Sequence, residues 1–350
     1  MKHKNKEIKV IFAFLALMFA VFLALPMVRL LLKSFLGDSG FSLESYLSVF
    51  ASRGFGKALG NSFLVASVSA LTTTAIAFLL AYTIHYTNVS GRAKSLIRGA
   101  ALLPMLLPTI TYGFSIIYSF GKQGLLTRLF GRQLFDIYGF NGLLLGYVIY
   151  TLPISFLLIN NTMGYIDKKY MIVSRIMGDN GLSAFMMTII RPLLGTLAAS
   201  FIQSFFLCFT DFGIPASVGG KFQVIAGVLY NEMLGSVPDF NNGAVVAMVM
   251  LIPSVASILV LQYLERYNVR YSKISVIELH KNKARDWVCG ILSTLIITGV
   301  LSVFAVIFVV PFVSEWPYEI RFTLEHVTAV FADDALFGVC KNSLFTAIVT

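Results

Sequence analysis

Charge is scarce in this chain. Only 13% of its 350 residues are charged, against 57% hydrophobic residues and a mean hydropathy of +0.81. A soluble domain carries about a quarter charged residues, so the composition excludes a soluble globular fold and indicates a membrane protein. No GxxxxGK[ST] phosphate loop is present, so ATP is not bound in that way. HExxH, CxxC and GxSxG are missing as well, and no enzyme activity, metal or cofactor is expected in the chain. The three cysteines, Cys208, Cys289 and Cys340, are far apart and read as small packing residues. The four histidines, His3, His85, His280 and His326, are scattered at the ends of apolar runs and read as loop residues. Asp and Glu are absent from the middle of every apolar run. A proton- or sodium-driven transporter usually keeps an acid there, because an intramembrane charge is costly and persists for function.

What the chain does have is length without charge. Uncharged runs of membrane-spanning length occur at 10–28, 58–84, 99–120, 138–163, 192–210, 240–264 and 287–314, and a further one opens at Asn342. In lipid the backbone must satisfy its own hydrogen bonds, and the alternating pattern of an outer-membrane barrel is absent, so these runs are helices. The expected fold is an all-α polytopic membrane protein. Pro104, Pro108, Pro153 and Pro253 fall inside runs, where each frees backbone groups and kinks its helix. Between runs, 122–140 and 213–239 are expected to dip back toward the membrane, the latter with a short helix near Val224–Met233.

Orientation follows from the basic residues. With the N-terminus in the cytoplasm, segments 1–9, 85–98, 164–191 and 265–286 hold 17 of the 27 Lys and Arg but only six of the 17 acids. The positive-inside rule selects this arrangement. Because the basic residues recur in loops, the net charge of +10 is not a nucleic-acid footprint.

Residues 41–69 align without gaps to 322–350 at an offset of 281, with ten identities in 29 positions, including Glu44/Glu325 and Asn61/Asn342. The chain therefore reads as a first six-span unit at 1–264, a cytoplasmic linker at 265–286, and the start of a second, parallel unit at 287–350. Since Thr350 falls in mid-helix, a longer fused polypeptide is expected, with a second copy of the 167–192 segment one offset further on.

That segment, DKKYMIVSRIMGDNGLSAFMMTIIRP, is the longest polar interruption in the first part of the chain. It predicts a short helix capped by Asp167 and ended at Gly178, then a second helix capped by Asp179 or Asn180, then Pro192 opening the next span. Such a compact knob on the membrane surface suits a grip for a soluble partner. Asp211, in FTDFGIP, reads either as an interfacial cap or, with Gln203 and Thr210, as a candidate pathway residue; Ser204 completes the polar stripe of that span.

The knob, the six-span unit and the missing ATP site resemble a permease subunit of a binding-protein-dependent ABC importer of the type I class. In that family an EAA–three residues–Gly loop docks into a groove on a separate ATPase. Here Gly178 matches the glycine, while Ile172, Val173 and Ser174 stand where Glu-Ala-Ala would be, and the Gly-to-Pro spacing is one residue longer than usual. The resemblance implies that Met171, Ile172, Val173, Ser174, Arg175, Gly178, Asp179, Asn180 and Pro192 form the ATPase-coupling loop. It implies as partners a pair of ATP-binding cassette subunits, which hold the ATP, an extracellular or periplasmic solute-binding protein, and membrane lipid, in the cell (inner or plasma) membrane. SIIYSFGKQGLLTRLFG, FTDFGIPASVGGKFQVIAGVLY and FNNGAVVAMVMLIPSVASILVLQYLERY are similar to tandem fused permeases of the ferric iron and 2-aminoethylphosphonate group, the phosphonate branch most of all. A phosphonate is thus the expected substrate, with ferric iron or a polyamine as the alternative. A gradient-driven secondary transporter is the remaining reading, and the lack of a mid-span acid counts against it.

Overall fold

The computed structural model describes residues 4–37, 40–264 and 282–350. Expectations that fall on Lys2, His3, His280 and positions 265–281 of the linker lie outside the described residues, as do the side chains of 4–7 and of Arg175. Along the chain come α1 (Lys4–Phe19), a π turn (Ala20–Ala24), α2 (Leu25–Ser34), β1 (Leu36–Gly37), β2 (Gly40–Phe41), α3 (Glu44–Ala51), α4 (Arg53–Tyr86) and α5 (Gly91–Leu102). Then follow α6 (Thr109–Phe120), α7 (Leu125–Phe130), α8 (Phe140–Gly164), α9 (Lys169–Ile176), α10 (Gly181–Phe185), a second π turn (Met186–Ile190) and α11 (Arg191–Thr210). The remainder is α12 (Gly213–Val218), α13 (Ile225–Leu234), α14 (Phe240–Leu264), α15 (Lys283–Val309), β3 (Val313–Glu315), β4 (Glu319–Phe322), α16 (Glu325–Ala332) and α17 (Asp334–Val349). The fold is an all-α polytopic one, interrupted among the described residues by two small antiparallel hairpins, β1–β2 and β3–β4.

Six of the described helical stretches are long and apolar enough to cross a membrane, or seven if one bent pair counts as a span. The bent pair is the third expected span. Its two parts, Gly91–Leu106 and Thr109–Phe130, meet at 110°. The prolines explain the break: Pro108 pushes Leu107 out of the helical region to φ −112°, ψ 146°. The phenolic hydroxyl of Tyr112 then donates to the freed carbonyls of Pro104 and, at 3.2 Å, Leu107. By contrast, α8 and α14 run unbroken through Pro153 and Pro253.

Pro192 does not open a new helix, contrary to the sequence expectation. The stretch Gly181–Thr210 is one continuous 30-residue span. The π turn just ahead of Pro192 closes through an Arg191 N–H to Met186 carbonyl bond, five residues back. Pro26 stands in the same relation to the first π turn. A wider turn accommodates a residue that lacks an N–H and crowds the preceding carbonyl.

The chain divides into two compact units. The first comprises Met1–Leu64 and Gln223–Leu259. In it Asn61 donates to the Gln223 carbonyl at 2.9 Å, and the Ser62 hydroxyl accepts from the Ile225 N–H at 2.8 Å, so the start of α4 caps α13. The second comprises Val65–Phe222 and Val260–Thr350. Its helices are joined by hydroxyl pairs: Thr73 with Thr151 at 2.9 Å, Thr74 with Ser200 at 3.2 Å, Ser155 with Ser204 at 2.7 Å and Thr83 with Ser293 at 2.8 Å. Between lipid-embedded helices such bonds, with close packing, replace the hydrophobic drive that holds a soluble core.

The two aligned segments have the same local geometry. Phe35 stacks on Phe41 at 5.8 Å and Phe312 on Phe322 at 6.1 Å, each pair within 4° of parallel. The Ser42 and Thr323 N–H groups reach the carbonyls of those first phenylalanines at 2.9 and 3.0 Å. Ser42 and Thr323 in turn accept from the N–H of Glu44 and Glu325.

Candidate functional site

The 167–192 segment folds as a knob whose every end is capped. The Asp167 carboxylate accepts from the Lys169 N–H at 3.0 Å. At the far end of α9, Gly178 takes φ +89°, which places the Asp179 N–H on the Ser174 carbonyl at 3.1 Å and closes a Schellman-type cap. The Ser174 hydroxyl donates to the Asp179 carboxylate across the same turn. Asn180, rather than Asp179, caps α10, its side-chain oxygen accepting from the Ser183 N–H at 2.7 Å. Asp179 serves the α9 cap instead.

The knob is anchored on one side and bare on the other. Phe185 packs edge-on against Phe78 and Tyr82 of α4, at 6.2 and 5.9 Å between ring centres. Tyr82 stacks on Tyr86 in turn. The Lys168 ammonium lies 5.9 Å from the Tyr86 ring, and burial pulls its pKa below the ordinary lysine value. The free face carries Ile176 and Met177, each about 80% exposed, with Ile172, Val173, Leu182 and Met186 also exposed. A cavity of about 340 Å³, lined by Tyr170, Val173, Met177, Asp179 and Met187 among others, opens beside it.

The interior candidates lie elsewhere. Gln203 is half-buried on α11, and the Thr210 hydroxyl is used within its own helix, donating to the Phe206 carbonyl at 2.9 Å. Asp211 is 9% exposed. Its carboxylate accepts from the Ile214 N–H at 2.9 Å. Burial pushes its pKa above the ordinary carboxylate value, and hydrogen bonding from the α12 backbone pulls it partly back. Among the described residues no cluster of His, Cys, Asp or Glu could hold a metal ion. The structure does not bring Asp211 together with the knob residues, which occupy the opposite end of the Gly181–Thr210 span.

No protein-family model matches the chain. Two curated relatives align along 93% of it at 24% identity: the ferric transport system permease protein FbpB of Actinobacillus pleuropneumoniae and the putative ferric transport system permease protein FbpB 1 of Haemophilus influenzae. Among solved structures, a bacterial ABC transporter that imports alginate superposes with a TM-score of 0.63 at 13% identity, over 75% of this chain and 98% of its own. By sequence the chain is similar to ferric transport system permeases, and by fold to an ABC importer. The chain spans about half the length of the curated relatives it matches, 49% and 53% of them. The expected leaning toward a phosphonate is not supported by these relatives, both of which are named for ferric iron.

Sequence reasoning missed the aromatic anchor of the knob. Phe78, Tyr82 and Tyr86 recur every four residues on α4, and that spacing was the available signal. It also missed the hydroxyl pairs, whose partners are 49 to 210 residues apart and have no local signature.

Proposed function

We propose that the chain is the membrane permease of an ATP-driven, binding-protein-dependent importer, and that its 167–192 knob docks on a separate ATPase in the cytoplasm. The observation that carries this reading is the bare apolar face of a rigidly capped knob, continuous with a 30-residue helix into the bundle. A helix terminus of that kind is pushed as a rigid body. ATP is supplied by the partner, since the chain has no phosphate loop. On the opposite membrane face the outer loops receive a solute-binding protein; a solved alginate transporter of the same fold is described in complex with its periplasmic protein. Ferric iron is the preferred substrate over a phosphonate, because the two relatives that align along nearly the whole chain carry that name.

The missing glutamate and the long Gly-to-Pro spacing have physical counterparts. The Ser174–Asp179 bond braces the cap from within. The π turn lodges the extra residue between Gly178 and Pro192 without breaking the helix. Affinity purification of the full-length protein from its native membrane tests the reading. Nucleotide hydrolysis by a co-purifying ATPase, with uptake of ⁵⁵Fe(III) lost on deleting the permease, is the expected result. Uptake that persists without ATP, driven by an ion gradient, refutes it.

A further inference from the structure

At the start of α15 a groove runs along the helix, and the coupling of the knob makes no use of it. A cavity of about 470 Å³ opens between the α4–α5 loop, at Asn88 and Val89, and one face of α15. Trp287, Ile291, Thr294 and Leu295 form that face at helical spacing. Gly290 lets the loop come close, since a methyl group there would stand 3.3 Å from Cγ2 of Val89. On the neighbouring flank the buried Ser293 bonds Thr83 of α4 at 2.8 Å. The helix is thus fastened to α4 along one flank and open along the next. The two ends of the groove differ in character. Leu295 lies eight residues, about 12 Å, beyond Trp287. The Thr294 hydroxyl donates to the Gly290 carbonyl at 2.8 Å, so its polar atom is used within the helix and the deep end is apolar. The mouth is basic. Segments 85–98 and 282–286 carry five Lys and Arg against one acid, and that acid, Asp286, is paired with Arg285 at 2.8 Å. The Lys94 ammonium donates to the Thr87 carbonyl, next to Asn88, at 2.6 Å. Lys283 is exposed one helical turn before Asp286. Trp287, 69% exposed, stands between the two ends, at the level where indole rings settle between headgroups and chains.

We propose that this groove holds one anionic phospholipid of the cytoplasmic leaflet, with an acyl chain along Gly290–Leu295 and its phosphate at the Lys94 and Lys283 mouth. Charge selects the headgroup: the surplus of cations favours a net negative lipid over a zwitterionic one, and a basic opening between helices on the cytoplasmic side is where such lipids bind. Depth selects a lipid over a soluble anion, because the apolar end offers a free phosphate nothing to contact. Bound there, the lipid bridges the α4–α5 loop and α15 and stabilises their contact by mass action. The assignment rests on the membrane orientation selected by the basic residues, and is independent of the docking of the knob.

The full-length protein, delipidated in a maltoside detergent, is titrated with dioleoyl-phosphatidylglycerol or dioleoyl-phosphatidylcholine. Native mass spectrometry counts the bound lipid, and a thermal melt is run beside it. Phosphatidylglycerol is expected to bind at one site in preference to phosphatidylcholine and to raise the melting temperature, whereas glycerol 3-phosphate, which has the headgroup charge without the chains, does neither. Thr294→Phe, which fills the groove from an exposed position, removes that site; Leu292→Phe, 43% exposed on the same helix but outside the lining, keeps it. Lys283→Gln weakens phosphatidylglycerol about fivefold, the effect of one cation near the membrane surface. Equal binding of the two lipids overturns the proposal, as does an undiminished site in Thr294→Phe or stabilisation by glycerol 3-phosphate alone. Should Thr294→Phe fail to fold, Lys283→Gln decides, since an unchanged affinity there overturns the proposal by itself. No ATPase or nucleotide enters the measurement, so its failure is distinct from failure of the importer reading.

Discussion

At the scale of single residues, Gly178 is the position where backbone conformation alone decides the outcome. Its φ of +89° is left-handed, yet a methyl group there would meet nothing within 4 Å. Alanine therefore costs only the conformational term, roughly 1–2 kcal/mol, with no clash added. Asparagine visits the same region more readily than other side chains. Uptake by Gly178→Asn is expected to stay within about twofold of wild type, while Gly178→Ala falls well below it and Gly178→Asp loses coupling, with membrane insertion intact in all three. A transport assay beside a membrane-fraction blot reads both; equal uptake by the Asn and Ala variants would show that the φ angle is not what matters. The cap residues of this knob were legible in the sequence because capping is a local rule: Asp167, Gly178 and Asn180 each act within five residues of themselves. Phe185 was not, since its ring partners sit about a hundred positions earlier on α4.

Among the elements, the π turn at Met186–Ile190 is the informative one. Its i→i+5 bonding stores a residue that an α turn would not hold. Removing one exposed residue from it lets the backbone relax to α-helix while the knob and α11 keep their facing. Deletion of Met187 is accordingly expected to leave protein yield and melting temperature near wild type. Deletion of Leu194, equally exposed but inside α11, turns everything beyond it by about 100° and abolishes folding; thermal melts in detergent compare the two. Apolar run length revealed the spans because a membrane imposes one thickness on all of them. It misjudged the third, where two prolines four residues apart turn a span into an elbow, and the fifth, where a proline was tolerated inside a helix rather than starting one.

For the molecule as a whole, sidedness is the decisive property. The proposed coupling role requires the knob in the cytoplasm and α7 on the other face, the arrangement that the positive-inside rule selects. Ile176→Cys and Leu129→Cys, each over 70% exposed, report this directly in a background lacking the native cysteines. A membrane-impermeant maleimide added to intact cells is expected to label position 129 and spare 176, with inside-out vesicles reversing the pattern; labelling of 176 in intact cells would invert the whole assignment. Apolar run length located the six unbent spans. The division into two units was not, because it cuts across α4 and α14, and a boundary inside a continuous helix leaves no mark on hydropathy.

The first span bears on biogenesis. None of the most apolar 18-residue window within Ile8–Ser34 is buried by the rest of the chain, whereas two thirds of the corresponding window in Phe140–Gly164 is. The leading helix can thus leave the translocon on its own hydrophobicity as soon as it is made. The later one, lined with hydroxyls and glycines that await neighbours, has reason to linger at the exit until α4 and α11 arrive, so its insertion depends on the order of synthesis.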